Sequence, residues 1–330
     1  MSIVLSDHII NAIFISKIVK KTQNYYVKNI NKVLDYIDVH IEHSFSLEEL
    51  AAITSFSKFH FHRIFQSLIG ESVFQYIMRI RLEKCASNMI LEPDRKLSNI
   101  ALQYGFSDLS IFSRHFKKHF NRSPSLFRDQ SEKNSNNSQT DSNIQRINGK
   151  ADLYFCSDLK TIKWTNYMEI IKNVEVQHLS EMTVAYVRNF GPYVGKSFSY
   201  EKSRNDLFAW SAAKGVMQDP NFKYLILYHD NPNVALNDNL RMSLCVTISD
   251  DTETDGAIGK MKINAGMYLV CDCELSAPDF GKVWEWIYGE WFPNNHYIPD
   301  DSPYFELYKE QPETEILKVS FCIPVKIKTL

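Results

Sequence analysis

One pattern of apolar and polar positions occurs twice in the first 130 residues. Leu47 to Ser57 (LEELAAITSFS) aligns with Leu97 to Ser107 (LSNIALQYGFS) at an offset of 50. Leu47, Leu50 and Ala51 fall on Leu97, Ile100 and Ala101, and Phe56-Ser57 fall on Phe106-Ser107. After one inserted residue the offset becomes 51, and Phe65, Gly70, Ser72 and Val73 meet Phe116, Asn121, Ser123 and Pro124. The spacing is that of a helix with one apolar face.

The polar positions punctuate the pattern. Ser46 with Glu49 reads as a capping box that starts a helix. Ser55 and Gly105 fall where a tight turn separates two helices, a place Gly occupies without strain and Ser less comfortably. Ser57 and Ser107 are positioned to cap the next helix. Gly70 and Asn121 suit the left-handed residue that ends it. Ser72 and Ser123 cap again, with Pro124 at a first helical position. Each copy is thus helix, turn, helix, stop, which is the grammar of a helix-turn-helix unit. Between the copies, Phe74, Ile77, Met78, Leu82, Cys85 and Met89 predict a helix over Val73–Leu91. Its length is roughly 28 Å. Major-groove faces of DNA recur every ~34 Å, so such a helix can hold two readers about one turn apart.

Residues 131–149 (SEKNSNNSQTDSNIQRING) are almost free of apolar side chains and read as a flexible linker. Beyond them the period shortens to that of strands, and a second repeat appears. Tyr224 to Pro232 (YLILYHDNP) aligns with Tyr304 to Pro312 (YFELYKEQP) at an offset of 80. Arg241 to Ile248 (RMSLCVTI) aligns with Lys318 to Val325 (KVSFCIPV) at 77. An amphipathic helix precedes each pair, over Phe198–Lys214 and Pro278–Phe292, and alternating strands precede each helix, over Val174–Phe190 and Lys260–Leu275. Each half reads strand, strand, helix, strand, strand. The predicted architecture is multidomain: an all-α tandem helix-turn-helix domain, then an α+β domain of two such repeats. Paired antiparallel sheets with helices on one side and a pseudo-twofold cleft are expected. The boundaries are 1–23 for an N-terminal helical extension, 24–129 for the helical domain, 130–168 for the linker and 169–330 for the α+β domain.

Composition adds little until it is divided. The 330 residues are 44% apolar and 23% charged, with a net charge of −2, as in ordinary soluble chains. No apolar run is long enough to span a membrane, and the Ile9–Val19 stretch lacks a cleavage site, so a cytoplasmic location is expected. The six cysteines form no C-x-x-C pair, which argues against a zinc ribbon or a disulfide framework. Charge, however, is sorted. Residues 1–128 hold 17 Lys and Arg against 11 Asp and Glu, and residues 129–330 hold 20 against 28. A basic half joined to an acidic half points to an anionic partner for the first half alone.

Candidate chemistry follows from the faces. In the first recognition helix Phe61, Ile64, Phe65 and Leu68 form the apolar stripe, leaving Phe59, His62, Arg63 and Gln66 outward and His60 on the flank. In the second, Leu109, Phe112, Phe116 and Phe120 point inward, leaving Ser107, Ser110, Ile111, Arg114, Lys117 and Lys118 outward. Arg63 and Arg114 suit guanine, Gln66 adenine, and Phe59 and Ile111 thymine methyls. Lys117 and Lys118 suit phosphates. His60 and His62 have no third ligand at useful spacing, so no metal is expected. In the second half, Glu306 replaces the Ile226 of the first copy and stands between Tyr304 and Tyr308. A carboxylate among rings suits a lipophilic cation. Tyr193, Trp210, Trp284, Trp291 and Phe292 are the further candidate ligand residues.

The span from Tyr26 to Arg128 resembles the DNA-binding domain of the AraC/XylS family of transcriptional regulators. The resemblance rests on SLEELAAITSFSKFHFHRIFQSLIGESVFQYI, RLEKCASNMIL and LSNIALQYGFSDLSIFSRHFKKHFNRSPSLFR, the last being the most specific. Ser55 departs from the Gly common in the first turn. Val174 to Ile327 resembles the GyrI-like small-molecule-binding domain through NFGPYVG, LRMSLCVTI, WEWIYGEWFPNNHYIPDDSPYFELY and VSFCIPV. Glu306 matches that family's ligand-facing Glu, while Ser243 stands where Asp is frequent.

The resemblances imply a transcription regulator with double-stranded DNA and a small-molecule effector as partners, and with neither cofactor nor catalysis. The linker offers no mechanical route between the halves, which makes recruitment of RNA polymerase the expected point of effector action. The alternatives are a GyrI-like hydrolase, with Glu306 as base or nucleophile, and a protein-binding module with an open aromatic cleft.

Overall fold

A computed structural model describes residues 24–129, 170–193, 198–232, 234–309 and 315–327. The expected N-terminal extension and linker lie outside the described residues. The helical half contains α1 (24–39), α2 (Leu47–Thr54), α3 (Lys58–Ile69), α4 (Val73–Leu91), α5 (Leu97–Gln103), α6 (Leu109–Phe120) and α7 (124–129). Its stop signals act as their residue types require. Ser46 and Glu49 form the capping box of α2, and Ser72 and Gln75 form that of α4. The turns between α2 and α3 and between α5 and α6 pass through positive φ at Ser55 (58°) and Gly105 (80°). Gly70 (85°) and Asn121 (57°) close α3 and α6. One cap differs from expectation. Asp108, not Ser107, receives the Ser110 and Ile111 N–H groups at the start of α6. A carboxylate there also complements the helix dipole.

Helix α4 is buried nearly all round, from Val73, Tyr76 and Ile77 to Asn88 and Met89. Two helix-turn-helix cores pack on it, as the shared cluster of Leu50, Phe61, Phe65, Ile100, Phe112 and Phe116 shows. Its remaining side is covered by the second half of the chain, through Tyr76 and Lys84.

That second half contains β1 (Ile171–Leu179), β2 (Met182–Phe190), α8 (Phe198–Ala213), β3 (Tyr224–Tyr228), β4 (Arg241–Thr247), β5 (Gly259–Ile263), β6 (Gly266–Leu275), α9 (Phe280–Trp286), β7 (Tyr297–Pro299), β8 (Tyr304–Tyr308) and β9 (Leu317–Ile327). Helix α9 continues as a π turn over Ile287–Trp291. The two repeats do not form two paired sheets. Eight strands make one antiparallel sheet in the order β1-β6-β9-β8-β3-β4-β2-β5, with β7 added beside β9. The leading strands are exchanged: β1 pairs with β6 of the second repeat, and β5 pairs with β2 of the first. The repeats join where β3 meets β8, with Ile226 opposite Glu306.

The sheet is covered on both faces. On one, α8 packs over Ile226, Leu244 and Val246, and α9 packs over Leu269, Cys271 and Phe321. On the other, Leu225, Leu227, Cys245, Phe305 and Cys322 form a third core. Side chains on that second face, Tyr186, Arg188 and Arg241, bond to α1 and α4. Among the described residues no helix is long and apolar enough to cross a membrane, and no three His, Cys, Asp or Glu side chains gather as a metal site would need.

Candidate nucleic-acid interface and ligand site

Helices α3 and α6 each bury one stripe on α4 and leave the opposite face free. Phe61 and Phe65 are fully buried in α3, as are Phe112 and Phe116 in α6. The stripes are shorter than expected at one end each. Leu68, in the last turn of α3, lies beyond the Phe65–Tyr76 ring pair and is exposed. Leu109, in the first turn of α6, is exposed because Phe106 already packs on Phe112 beneath it. The residues expected outward are exposed, except His62. Phe59, Arg63 and Gln66 are exposed on α3, and Phe59 retains 72% of its surface. Ser107, Ser110, Ile111, Arg114, Lys117 and Lys118 are exposed at and along α6. His62 is half-buried, and His60 packs edge-on against Tyr26 and Phe56 on the flank. The Lys58 ammonium lies over the Phe59 ring, 5.4 Å from the ring centroid.

The second site lies on the helix-covered face of the sheet, at its pseudo-twofold centre. Glu306 is 2% exposed. Its carboxylate accepts from the Tyr228 hydroxyl at 2.9 Å, the Tyr308 hydroxyl at 3.2 Å and the Trp284 indole N–H at 3.3 Å. Burial drives its pKa up to about 7 against the pull of these three donors. The ring of Tyr228 stacks on Tyr304 (centroids 5.4 Å apart) and meets Tyr193 edge-on at 4.9 Å. Trp284 closes on Tyr304 at 4.9 Å. The structure therefore gathers Glu306, Tyr304, Tyr308, Tyr193 and Trp284. Phe292 reaches this group through Tyr288, which stacks on Trp284. The other two predicted rings serve different neighbours: Trp210 donates to Asp255 at 3.0 Å, and Trp291 stacks on Tyr297. Tyr228 was absent from the sequence-derived set, although its equivalence to Tyr308 in the repeat marked it.

A third cluster had no counterpart in the sequence reading. Arg241, at the head of β4, is 1% exposed. Its Nε and Nη2 donate to the Asp230 carboxylate at 2.6–3.1 Å. Its Nη1 reaches the helical half, donating to Asp38 of α1 at 2.8 and 2.9 Å and to the Tyr76 hydroxyl of α4 at 2.6 Å. Burial alone would lower the guanidinium pKa, but the two carboxylates raise it well above its ordinary value. Alongside, Arg188 donates to Asp35 at 2.6 Å and Tyr186 donates to the same carboxylate. Tyr104 and Lys84 both reach Asp301. Ser243, the departure from the GyrI-like pattern, pairs with half-buried His229 at 2.9 Å.

These features agree with known proteins. Residues 50–130 match the family described as a helix-turn-helix domain, and residues 172–326 match the GyrI-like small molecule binding domain. The HTH-type transcriptional regulator YbfP of Bacillus subtilis is 40% identical over 104 residues, covering 32% of this chain and 35% of YbfP. Transcriptional regulator Rob of Salmonella typhimurium is 37% identical over 103 residues, covering 31% of this chain and 35% of Rob. The probable transcription factor PqrA of Proteus vulgaris is 33% identical over 102 residues, covering 30% of this chain and 83% of PqrA. The chain thus spans about a third of the first two relatives and most of the third. It belongs to the family of AraC-type helix-turn-helix transcriptional regulators, and it carries a C-terminal GyrI-like domain.

Proposed function

We propose that the protein is a cytoplasmic, sequence-specific transcription regulator whose second domain takes up a lipophilic cation and whose output depends on that cation. The observation that carries the reading is the pair of outward faces on α3 and α6. They present Phe59, Arg63 and Gln66 in one unit and Ile111, Arg114, Lys117 and Lys118 in the other. Arg63 and Arg114 read base edges while Lys117 and Lys118 hold phosphates. Residues 24–129 form the DNA-reading unit and 169–330 the effector-binding unit, with RNA polymerase as the further partner at the promoter.

The effector reading rests on Glu306. A lone buried carboxylate among rings matches a compact lipophilic cation, because ion pairing and the ring faces act together in a dry site. The same inward-facing Glu306 speaks against an open cleft for a protein partner. No catalytic role is proposed for it, and the named relatives are regulators. The test is a reporter driven by the protein's own promoter, with and without tetraphenylphosphonium. Changed output with the native chain, and none with Glu306→Gln, supports the reading. Equal output in all cases refutes the sensor role.

A further inference from the structure

Both oxygens of Glu306 already accept from side chains of the protein itself, Oε2 from Tyr228 and Tyr308 and Oε1 from Trp284. The residue is 2% exposed, so a cation pairing with it must turn aside Tyr228, Tyr308 or Trp284. Of these, Tyr228 touches both rings that bond the backbone of residue 230. It stacks on Tyr304 and packs against Tyr193. Both neighbours hold the backbone at residue 230. The Tyr193 hydroxyl shares its single hydrogen between the Asp230 carbonyl at 3.0 Å and the Arg241 carbonyl at 2.9 Å, and it accepts from the Asp230 N–H at 3.1 Å. Tyr304 donates to the Asp230 carbonyl at 3.4 Å.

Asp230 thus has two faces. Its backbone belongs to the effector side of the sheet, and its carboxylate grips Arg241 on the opposite side. Arg241 continues to Asp38 and to the Tyr76 hydroxyl. The Tyr76 ring in turn meets Phe65 edge-on at 5.7 Å, and Phe65 is a core residue of α3. Six contacts lead from the carboxylate of the effector site to the first recognition helix: Glu306–Tyr228, Tyr228–Tyr193, Tyr193–Asp230, Asp230–Arg241, Arg241–Tyr76 and Tyr76–Phe65. None of them uses the linker. The route is a continuous chain of hydrogen bonds and ring contacts, half-buried at Tyr228, Tyr193 and Tyr304 and buried from Asp230 through Arg241 and Tyr76 to Phe65, of the kind through which coupling by contact travels.

We infer that Arg241, clamped by Asp230, is a positioning residue for α3, and that it couples the state of the Glu306 cage to DNA reading through Tyr76. The inference rests on the DNA-binding and effector reading above. Coupling of this kind is reciprocal, so DNA must act on the cage as the cage acts on DNA. It can therefore be tested without an effector.

The experiment is amide hydrogen exchange on the full chain, with and without a duplex of its own promoter, for the native protein and for Tyr76→Phe. This change keeps the core ring and the Arg241–Asp38 bonds, removing only the hydroxyl at the junction. In the native protein, DNA is expected to change exchange at 224–230 and 304–308 by at least ~5-fold, the lower end of ordinary coupling. In Tyr76→Phe, with promoter binding retained, the change should fall below twofold. Asp38→Asn, which keeps an acceptor but loses the charge, should fall between. A DNA effect of equal size in the native protein and both variants overturns the inference. So does promoter binding with no change at these strands. Tetraphenylphosphonium binding, measured on the same samples by tryptophan fluorescence, judges the effector reading separately. If the cation fails to bind while DNA still alters the strands, the effector reading fails and the coupling stands.

Discussion

Ile226 and Glu306 face each other across the β3–β8 ladder, at equivalent positions of the two repeats. The offset of 80 that aligns the repeats also aligns this pair, so the pseudo-twofold axis runs between them. One side of the axis carries a branched aliphatic side chain and the other a carboxylate. That single break of symmetry gives the site its charge, and the rings that stack around it come from both repeats.

The first prediction concerns stability and pH. Burial lifts the Glu306 carboxyl from 4.5 to about 7. The folded state therefore holds the proton more tightly than the unfolded chain. The stability this gives is complete below pH 4.5 and is lost as pH rises through 7. Buried Glu83, likewise raised to about 7 by burial, acts in the same direction. Glu306→Gln should raise unfolding free energy at pH 8 by roughly 3 kcal/mol and flatten the profile between pH 5 and 7. Denaturant unfolding across that range measures it. An unchanged slope would mean that Glu306 stays ionised throughout.

The same ionisation governs the effector. A cation pairs with the carboxylate and not with the acid, so tetraphenylphosphonium affinity should rise about tenfold per pH unit below 7 and level off above. Glu306→Gln should lose at least about tenfold at pH 8. Tryptophan fluorescence titration reads both, and a pH-independent affinity would contradict the ion pair.

The two classes of DNA contact separate by their salt dependence. Arg114→Ala should cost about 1–3 kcal/mol and relax preference at one base position. Lys117→Ala should weaken all sequences alike and reduce the salt slope by about 1. Anisotropy with a set of single-base operator variants distinguishes them.

The two turns give a paired test of backbone strain. Gly105 lies at φ 80°, and a Cβ there would stand 2.6 Å from the Glu42 carbonyl oxygen and 2.9 Å from Arg81 Cζ. Gly105→Ala should destabilise by more than about 1–2 kcal/mol, the ordinary left-handed penalty, because the carbonyl belongs to backbone. Ser55 already bears that penalty at φ 58°, so Ser55→Gly should stabilise by about 1 kcal/mol. Thermal unfolding of both variants checks the signs.

Much of this was legible in the chain. The helix-turn-helix units could be read because Ser46, Ser55, Gly70, Ser72 and their counterparts mark each boundary with a residue suited to its backbone. Glu306 stood out because the repeat supplied Ile226 as its control. The strand exchange was not legible, since β1 keeps the same alternation whether it pairs with β2 or β6. Arg241 was overlooked for a related reason. RMSLCVTI is apolar at Met242, at Leu244 through Val246 and at Ile248, on both faces in turn, the mark of a strand buried on both sides. A charged residue at the head of such a strand needs a buried partner. The partner Asp230 is near in sequence, but Asp38 and Tyr76 lie in the other half, where no local pattern points to them.

The measurement that tests the account most directly is affinity of the full chain for its own promoter and for random duplex DNA across a salt series. The account predicts a steep loss with salt for both, with the promoter bound ~10³-fold or more tightly. Weak, equal binding with a flat salt response would contradict it, leaving the outward faces of α3 and α6 as solvated surface.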